Sequence, residues 1–252
     1  MALKALRRGL PVITAVAFIA VWQVVASFYP PEQFPAPTDV VKALTELSAD
    51  GVLWRHIGVS LVRFGVAYVL ALVTAVPLGL LLGRQPLARR AVDPLIQLLR
   101  PISPIAWFPL AVLWFGIGNA PAVFIIFLST FFPMLVSTIS AVVKVPAIYL
   151  KVAANFGTRP MSTFLKVVIP AAFPGIMVGL HIAVGTGWIH LVAGEMLGAQ
   201  SGLGFMIVDA RNFLRTDWIL AGMLVVGLLG LLINRLMRFA ELWLGRRWGG
   251  AA

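Results

Sequence analysis

The chain contains no cysteine, which excludes structural disulfides and thiolate metal sites. Charge is scarce too, at 12% of 252 residues, where soluble domains carry roughly 25%. Acids are scarcer than bases, nine Asp and Glu against twenty Lys and Arg. No Gly-Lys dipeptide occurs anywhere, so no Walker-type phosphate loop can form and ATP cannot be held by that route. Neither His-Glu-x-x-His, Gly-x-Ser-x-Gly nor a paired-carboxylate constellation appears. A membrane protease or proton pump would need more intramembrane chemistry than this. Internal repeats and low-complexity stretches are likewise missing. A chain so bare of chemistry is not expected to be an enzyme or to hold a cofactor or metal of its own.

What is there is hydrophobic: 60% of all residues are apolar and 11% of all residues are aromatic. Charge-free runs long enough to cross a bilayer at about 20 residues each place spans near 10–28, 60–83, 102–118, 121–143, 170–197 and 217–238. Gly116, Gly118, Asn119 and Pro121 mark a hairpin between the third and fourth. Lipid offers the backbone no hydrogen-bond partner, so the spans are expected to be helices. The fold class read from this is an all-α membrane protein of one transmembrane domain, 1–252, with six helices. An even count puts both termini on one side. Fifteen basic residues fall on that side, including Arg84, Arg89, Arg90 and Arg100 after the second span, and five (Lys42, Arg55, Arg63, Arg211, Arg215) on the other. The positive-inside rule makes the richer side cytoplasmic. The net charge of +11 is then mostly topology and lipid-headgroup contact, which argues against nucleic-acid binding.

Leu10 to Phe28 follows a basic n-region and can be weighed as a cleaved signal peptide. Its apolar run is long, no small-x-small site follows, and cleavage would leave five spans, so an uncleaved first span is the better reading. From Tyr29 to Ile57 the chain is external. Four prolines extend its start, and Thr38 and Asp39 are placed to cap a short helix, Val40 to Leu47. Gly249 to Ala252 read as a terminal tail.

The segment 144–169 between the fourth and fifth spans is more than a connector. Pro146 suits a first helical turn, Ala147, Leu150 and Ala153 or Ala154 fall on one face, and Gly157 suits a left-handed helix end. Thr158 or Ser162 can cap a second short helix, which Pro170 is expected to stop. A basic amphipathic segment lying on anionic lipid is one reading of this pattern. A rigid lever is the other.

This segment resembles the EAA loop of permease subunits of binding-protein-dependent ABC importers. Ala153-Ala154, Gly157 and Val168-Ile169-Pro170 match its pattern, and Val152 stands where the family has glutamate. Pro104 to Leu110, Trp114 to Gly118 and Gly194-Glu195-Met196 are similar to the taurine, alkanesulfonate, nitrate and bicarbonate branch. The resemblance implies a homodimer with two ABC ATPase subunits, which hold the ATP and Mg, and a periplasmic or lipid-anchored solute-binding protein. It implies a bacterial inner-membrane location. The segment would be a cytoplasmic coupling helix touching the ATPase through Lys151, Val152, Ala153, Ala154, Asn155 and Gly157, and the external segment 29–57 would join the docking face for the binding protein. The cargo would be a small anion. The alternative, a self-contained channel or secondary transporter, would have no use for such a loop and often shows inverted repeats or intramembrane ion pairs.

For the translocation pathway the candidates are polar residues inside spans. His181, Trp188 and Glu195 are spaced by seven and share a helical stripe. Either the stripe faces the pathway between two copies, or Trp188 is packing, His181 a satisfied buried histidine and Glu195 a contact to an outer loop. Ser129 and Ser137, with Ser140 and Pro133, make a second weakly polar face, lining a pore or bonding helix to helix. Gly175-x-x-x-Gly179 and Gly194-x-x-x-Gly198 read as close helix packing.

Overall fold

The computed structural model describes residues 2–247, and every regular element among them is a helix. The tail expected at 249–252 lies outside the described residues. Helix α1, Ala2–Ala26, is followed by α2, Pro37–Ala49, where Pro37 supplies the preset φ of a first turn. Asp39 serves that start and Thr38 does not: the Asp39 carboxylate accepts from the Ala36 N–H at 3.3 Å. Trp22 ties α1 to this segment by donating to the Pro35 carbonyl at 3.1 Å.

Helix α3, Val52–Arg84, and helix α4, Pro86–Leu99, lead to a 3-10 turn, Pro104–Trp107, and then to α5, Phe108–Phe115. Helix α6 is Asn119–Val143 and helix α7 is Ala147–Asn155. Helix α8, Pro160–Thr163, runs through a π turn, Phe164–Val168, into α9, Ile169–Gly198. Helices α10, Leu203–Asn212, and α11, Thr216–Arg247, complete the chain. Among the described residues four helices are long and apolar enough to cross a membrane: α3, α6, the continuous run 160–198 and most of α11. A fifth crossing arises if α4 and the 104–115 pair count as one bent span. The apolar part of α1, Val12–Ala26, is shorter than those four.

Three sequence expectations change here. The span expected over 102–118 is not one straight helix. Only 104–115 of it is helical, and the chain bends by 85° between α4 and that piece, because Pro101 and Pro104 interrupt the ladder just after Arg100. Pro170 does not stop a helix. The Ile169 N–H reaches back five residues to the Phe164 carbonyl, and this wider turn precedes the ring, so the helix expected to begin at 170 runs on continuously from Pro160. The helix of the second expected span likewise starts early, at Val52, and carries Arg63 within it, neutralised inside the protein.

Helices α3, α6 and α9 form the centre of the bundle, α6 lying between the other two. Small residues let their backbones approach. On α3, Ala67, Ala71, Ala75 and Gly79 recur every fourth position, all buried. A Cβ on Gly79 would fall 2.7 Å from Thr138 Cβ, and one on Gly179 would fall 2.4 Å from Ser137 Cβ. Gly175 is similarly held against Ala141. Met134, Leu135 and Ala183 fill the space between these contacts, and Phe64, Ile126 and Leu191 continue the core toward α11. A second core joins α2, α10 and α11 through Leu47, Leu203, Met206 and Val225.

Candidate functional site

Helix α7 stands apart from the spanning bundle. Gly157 closes it at φ +66°, a conformation that costs glycine little, and the Gly157 N–H and Thr158 N–H donate to the Ala154 and Ala153 carbonyls at 2.9 and 3.1 Å. The Thr158 hydroxyl adds a 2.7 Å bond to the same Ala153 carbonyl and lies 2.7 Å from the Thr163 hydroxyl, joining α7 to α8. Second-helix capping by a side chain, expected from Thr158 or Ser162, is absent: Arg159 occupies the N-cap with no side-chain bond. Ala153 is buried, while Ile148, Tyr149, Val152 and Phe156 are exposed, Phe156 at 82%. Lys151, Ala154, Asn155 and Gly157 are exposed with them. Arg84, at the end of α3, sits over the Phe164 ring at 5.1 Å, so the π turn is braced against the neighbouring span.

At the other end of the same helices lies a buried polar cluster. Glu195, 1% exposed, and Arg63, 3% exposed, meet at 2.8 Å. The Ser60 hydroxyl is 2.8 and 2.9 Å from the two Glu195 oxygens, and the Gly204 N–H donates to Oε2 at 2.9 Å. The rest of the Arg63 guanidinium donates to Asn119 Oδ1, the Ser201 carbonyl and Ser201 Oγ. One ion pair thus fastens α3, the start of α6, the end of α9 and the first turn of α10. Gly202, at φ +106°, and Gly204 let the loop close around the carboxylate: a Cβ on Gly202 would fall 2.2 Å from Glu195 Oε1. Arg63 and Ser60 were not expected as partners of Glu195, nor Asn119 and Ser201 as partners of Arg63, although two glycines flanking Leu203 just after an acid were a visible signal.

The stripe of His181, Trp188 and Glu195 faces other helices of its own chain. Trp188 Nε1 donates to the Val226 carbonyl of α11 at 3.0 Å, and its ring meets Phe64 edge-on. His181 Nε2 lies 2.7 Å from Glu241 Oε2, also on α11. Ser137 is pressed against Gly179 in the α6–α9 contact. Ser129 donates to the Ile126 carbonyl at 2.7 Å and lines a cavity of about 420 Å³ at the bend between α4 and α5.

On the α2 side, Arg215 joins Glu46 at 2.7 Å and Asp217 at 2.9 Å and stacks over Trp218 at 4.5 Å. The Arg215 hydrogen bond holds the Glu46 carboxyl below the usual glutamate range. Hydrogen bonds to Asp217 and then Glu46 push the Arg215 guanidinium above its ordinary value. A hollow of about 380 Å³ opens beside these residues, lined also by Glu32 and Lys42.

Long apolar helices packed through small residues, with a short exposed helix slung beside them, define a multi-pass membrane protein. The chain belongs to the family described as binding-protein-dependent transport system inner membrane component, which matches residues 75–250. It is 35% identical over 228 residues to the taurine transport system permease protein TauC of Escherichia coli K12, covering 88% of this chain and 83% of that one. It is 35% identical over 249 residues to the nitrate import permease protein NrtB of Leptolyngbya laminosa, covering 94% and 88%. Its fold is like that in the inward-facing structure of the MetNI methionine ABC transporter, with a TM-score of 0.64 at 20% identity over 79% of this chain and 97% of that one. The chain is an ABC importer permease.

Proposed function

We propose that two copies of this chain form the translocation pathway of an ATP-driven importer in the bacterial inner membrane, for a small anion of the sulfonate, taurine, nitrate or bicarbonate class. An external solute-binding protein delivers the anion, the α2 face with its Glu46–Arg215–Asp217 cluster receiving it. Two separate ATPase subunits hold the ATP and Mg. In this reading α1, the four long helices and the bent pair make six passes, both termini are cytoplasmic, and α7 is the coupling helix. Similarity to taurine and nitrate permeases supports the cargo class.

The observation that carries the coupling reading is the join between α7 and the spans. The exposed apolar face of α7, Ile148, Tyr149, Val152 and Phe156, is the surface for the ATPase. Val152 replaces the family's glutamate, so this contact is apolar where a charge would stand. Lys151, Ala153, Ala154, Asn155 and Gly157 complete it. Motion of α7 passes through the Ala153–Thr158 and Thr158–Thr163 bonds to the long helix 160–198. For the pathway, Ser129 is retained through its cavity. His181, Trp188, Glu195 and Ser137 act there through the packing that positions α9. The test is ATP-dependent uptake into proteoliposomes carrying permease, ATPase and binding protein. Gly157→Pro and Ala153→Glu should abolish uptake. Full uptake by either variant would overturn the coupling role.

A further inference from the structure

The cavity at the bend combines features that point to a ligand. Its wall is largely apolar and aromatic, with Trp107, Phe124 and Phe132 among the lining residues. Arg100, exposed at the C-terminal cap of α4, and His190 of α9 are among the lining residues. Arg100 forms no ion pair among the described residues. Sequence reading had assigned it to a cytoplasmic charge cluster, yet it borders a chamber walled by spanning helices. His190 Nδ1 lies 2.8 Å from the Thr186 carbonyl and must donate to it, which leaves Nε2 without a partner among the described residues. The Ser129 and Thr186 hydroxyls are spent on backbone carbonyls. Non-helical backbone at membrane depth persists where it is buried or lines a cavity, and broken helices commonly frame transport sites. A chamber of about 420 Å³ is large for a nitrate or bicarbonate ion and falls within the range that holds small organic molecules.

We propose that this chamber is the permease's own subsite for an organic anion with an apolar body, an alkane- or arylsulfonate, in preference to nitrate or bicarbonate. The proposal rests on the anion-importer reading and narrows it. Arg100 takes the charged head, and Trp107, Phe124 and Phe132 flank the body. A hydrated inorganic anion would lose water to this wall and gain little in return. Each methylene buried adds about 0.8 kcal/mol, a factor of about four in affinity.

The experiment is equilibrium binding of radiolabelled alkanesulfonates, methane- to hexanesulfonate, to the permease–ATPase assembly in phosphatidylcholine nanodiscs, with empty nanodiscs subtracted. Saturable affinity should rise about fourfold per methylene while the chain fits. Arg100→Gln should weaken it at least tenfold, Arg100→Lys should restore much of it, and Trp107→Ala should flatten the chain-length slope. A flat slope in the unmodified protein, or unchanged binding in Arg100→Gln, overturns the proposal. So does displacement of the sulfonate by phosphatidylglycerol, which would reassign the chamber to a lipid headgroup. A parallel uptake assay with binding protein separates the two levels. ATP-driven uptake confined to nitrate or bicarbonate sinks the sulfonate subsite and leaves the importer reading standing. No ATP-driven anion uptake of any kind sinks both.

Discussion

Arg63 and Glu195, 132 positions apart, meet at 2.8 Å with almost no exposure of either side chain. Removing one partner strands the other charge, at a cost of about 3–5 kcal/mol, whereas replacing both with apolar groups costs far less. Glu195→Leu should therefore lower thermal stability in detergent sharply, and Arg63→Met with Glu195→Leu should recover most of the loss. A double variant as unstable as the sum of the singles would show that the pair has no coupling.

The α6–α9 contact gives a steric prediction. Gly179→Val places branched carbon where Ser137 Cβ already sits 2.4 Å from the ideal Cβ position. Overpacking of this kind costs about 1–3 kcal/mol. Adding Ser137→Gly should return part of it. Equal melting temperatures for Gly179→Val and the parent would refute the close approach.

Acid should loosen the α2 face. Glu46 has its pKa lowered by Arg215, so its contribution is present above the unfolded-state value and is lost as pH falls through the folded value. Melting curves of the parent and Glu46→Gln should differ at neutral pH and converge in acid. A difference that persists or grows in acid contradicts the assignment.

Phe156 is 82% exposed and packs no core. If the apolar face of α7 seats the ATPase, Phe156→Ser should reduce copurification of the ATPase several-fold while leaving the permease's own unfolding free energy within about 0.5 kcal/mol of the parent. Undiminished copurification would move the contact elsewhere.

Much of this was legible before any coordinates. The charge-free runs located α6 and most of α3 and α11, because a helix in lipid must carry an uninterrupted apolar surface. Pro146 and Gly157 bracketed α7 to within a residue, because each fixes a backbone conformation locally. The pairing of Arg63 with Glu195 was not legible, since periodicity describes one helix at a time and says nothing of which helices touch. Arg63 was therefore counted as a surface charge. The bend near Arg100 was hidden for a different reason: Arg89, Arg90, Asp93 and Arg100 mark 86–100 as a charged connection, so α4 was not expected as a helix that could bend into the next one. Pro170 misled because the usual rule assumes a regular ladder, and the π turn before it had loosened that ladder.

The glycine and alanine contacts of α3, α6 and α9 carry a mechanical consequence. With Gly79 seated against Thr138 and Gly179 against Ser137, neither outer helix can slide along the middle one without lifting over a side chain. The three behave as one slab, braced at Arg84 and Phe164. In the coupling reading, a push arriving there reaches all three together, and the bent α4–α5 segment is carried with them, because Ile96 is buried in their core and α5 lies against α6.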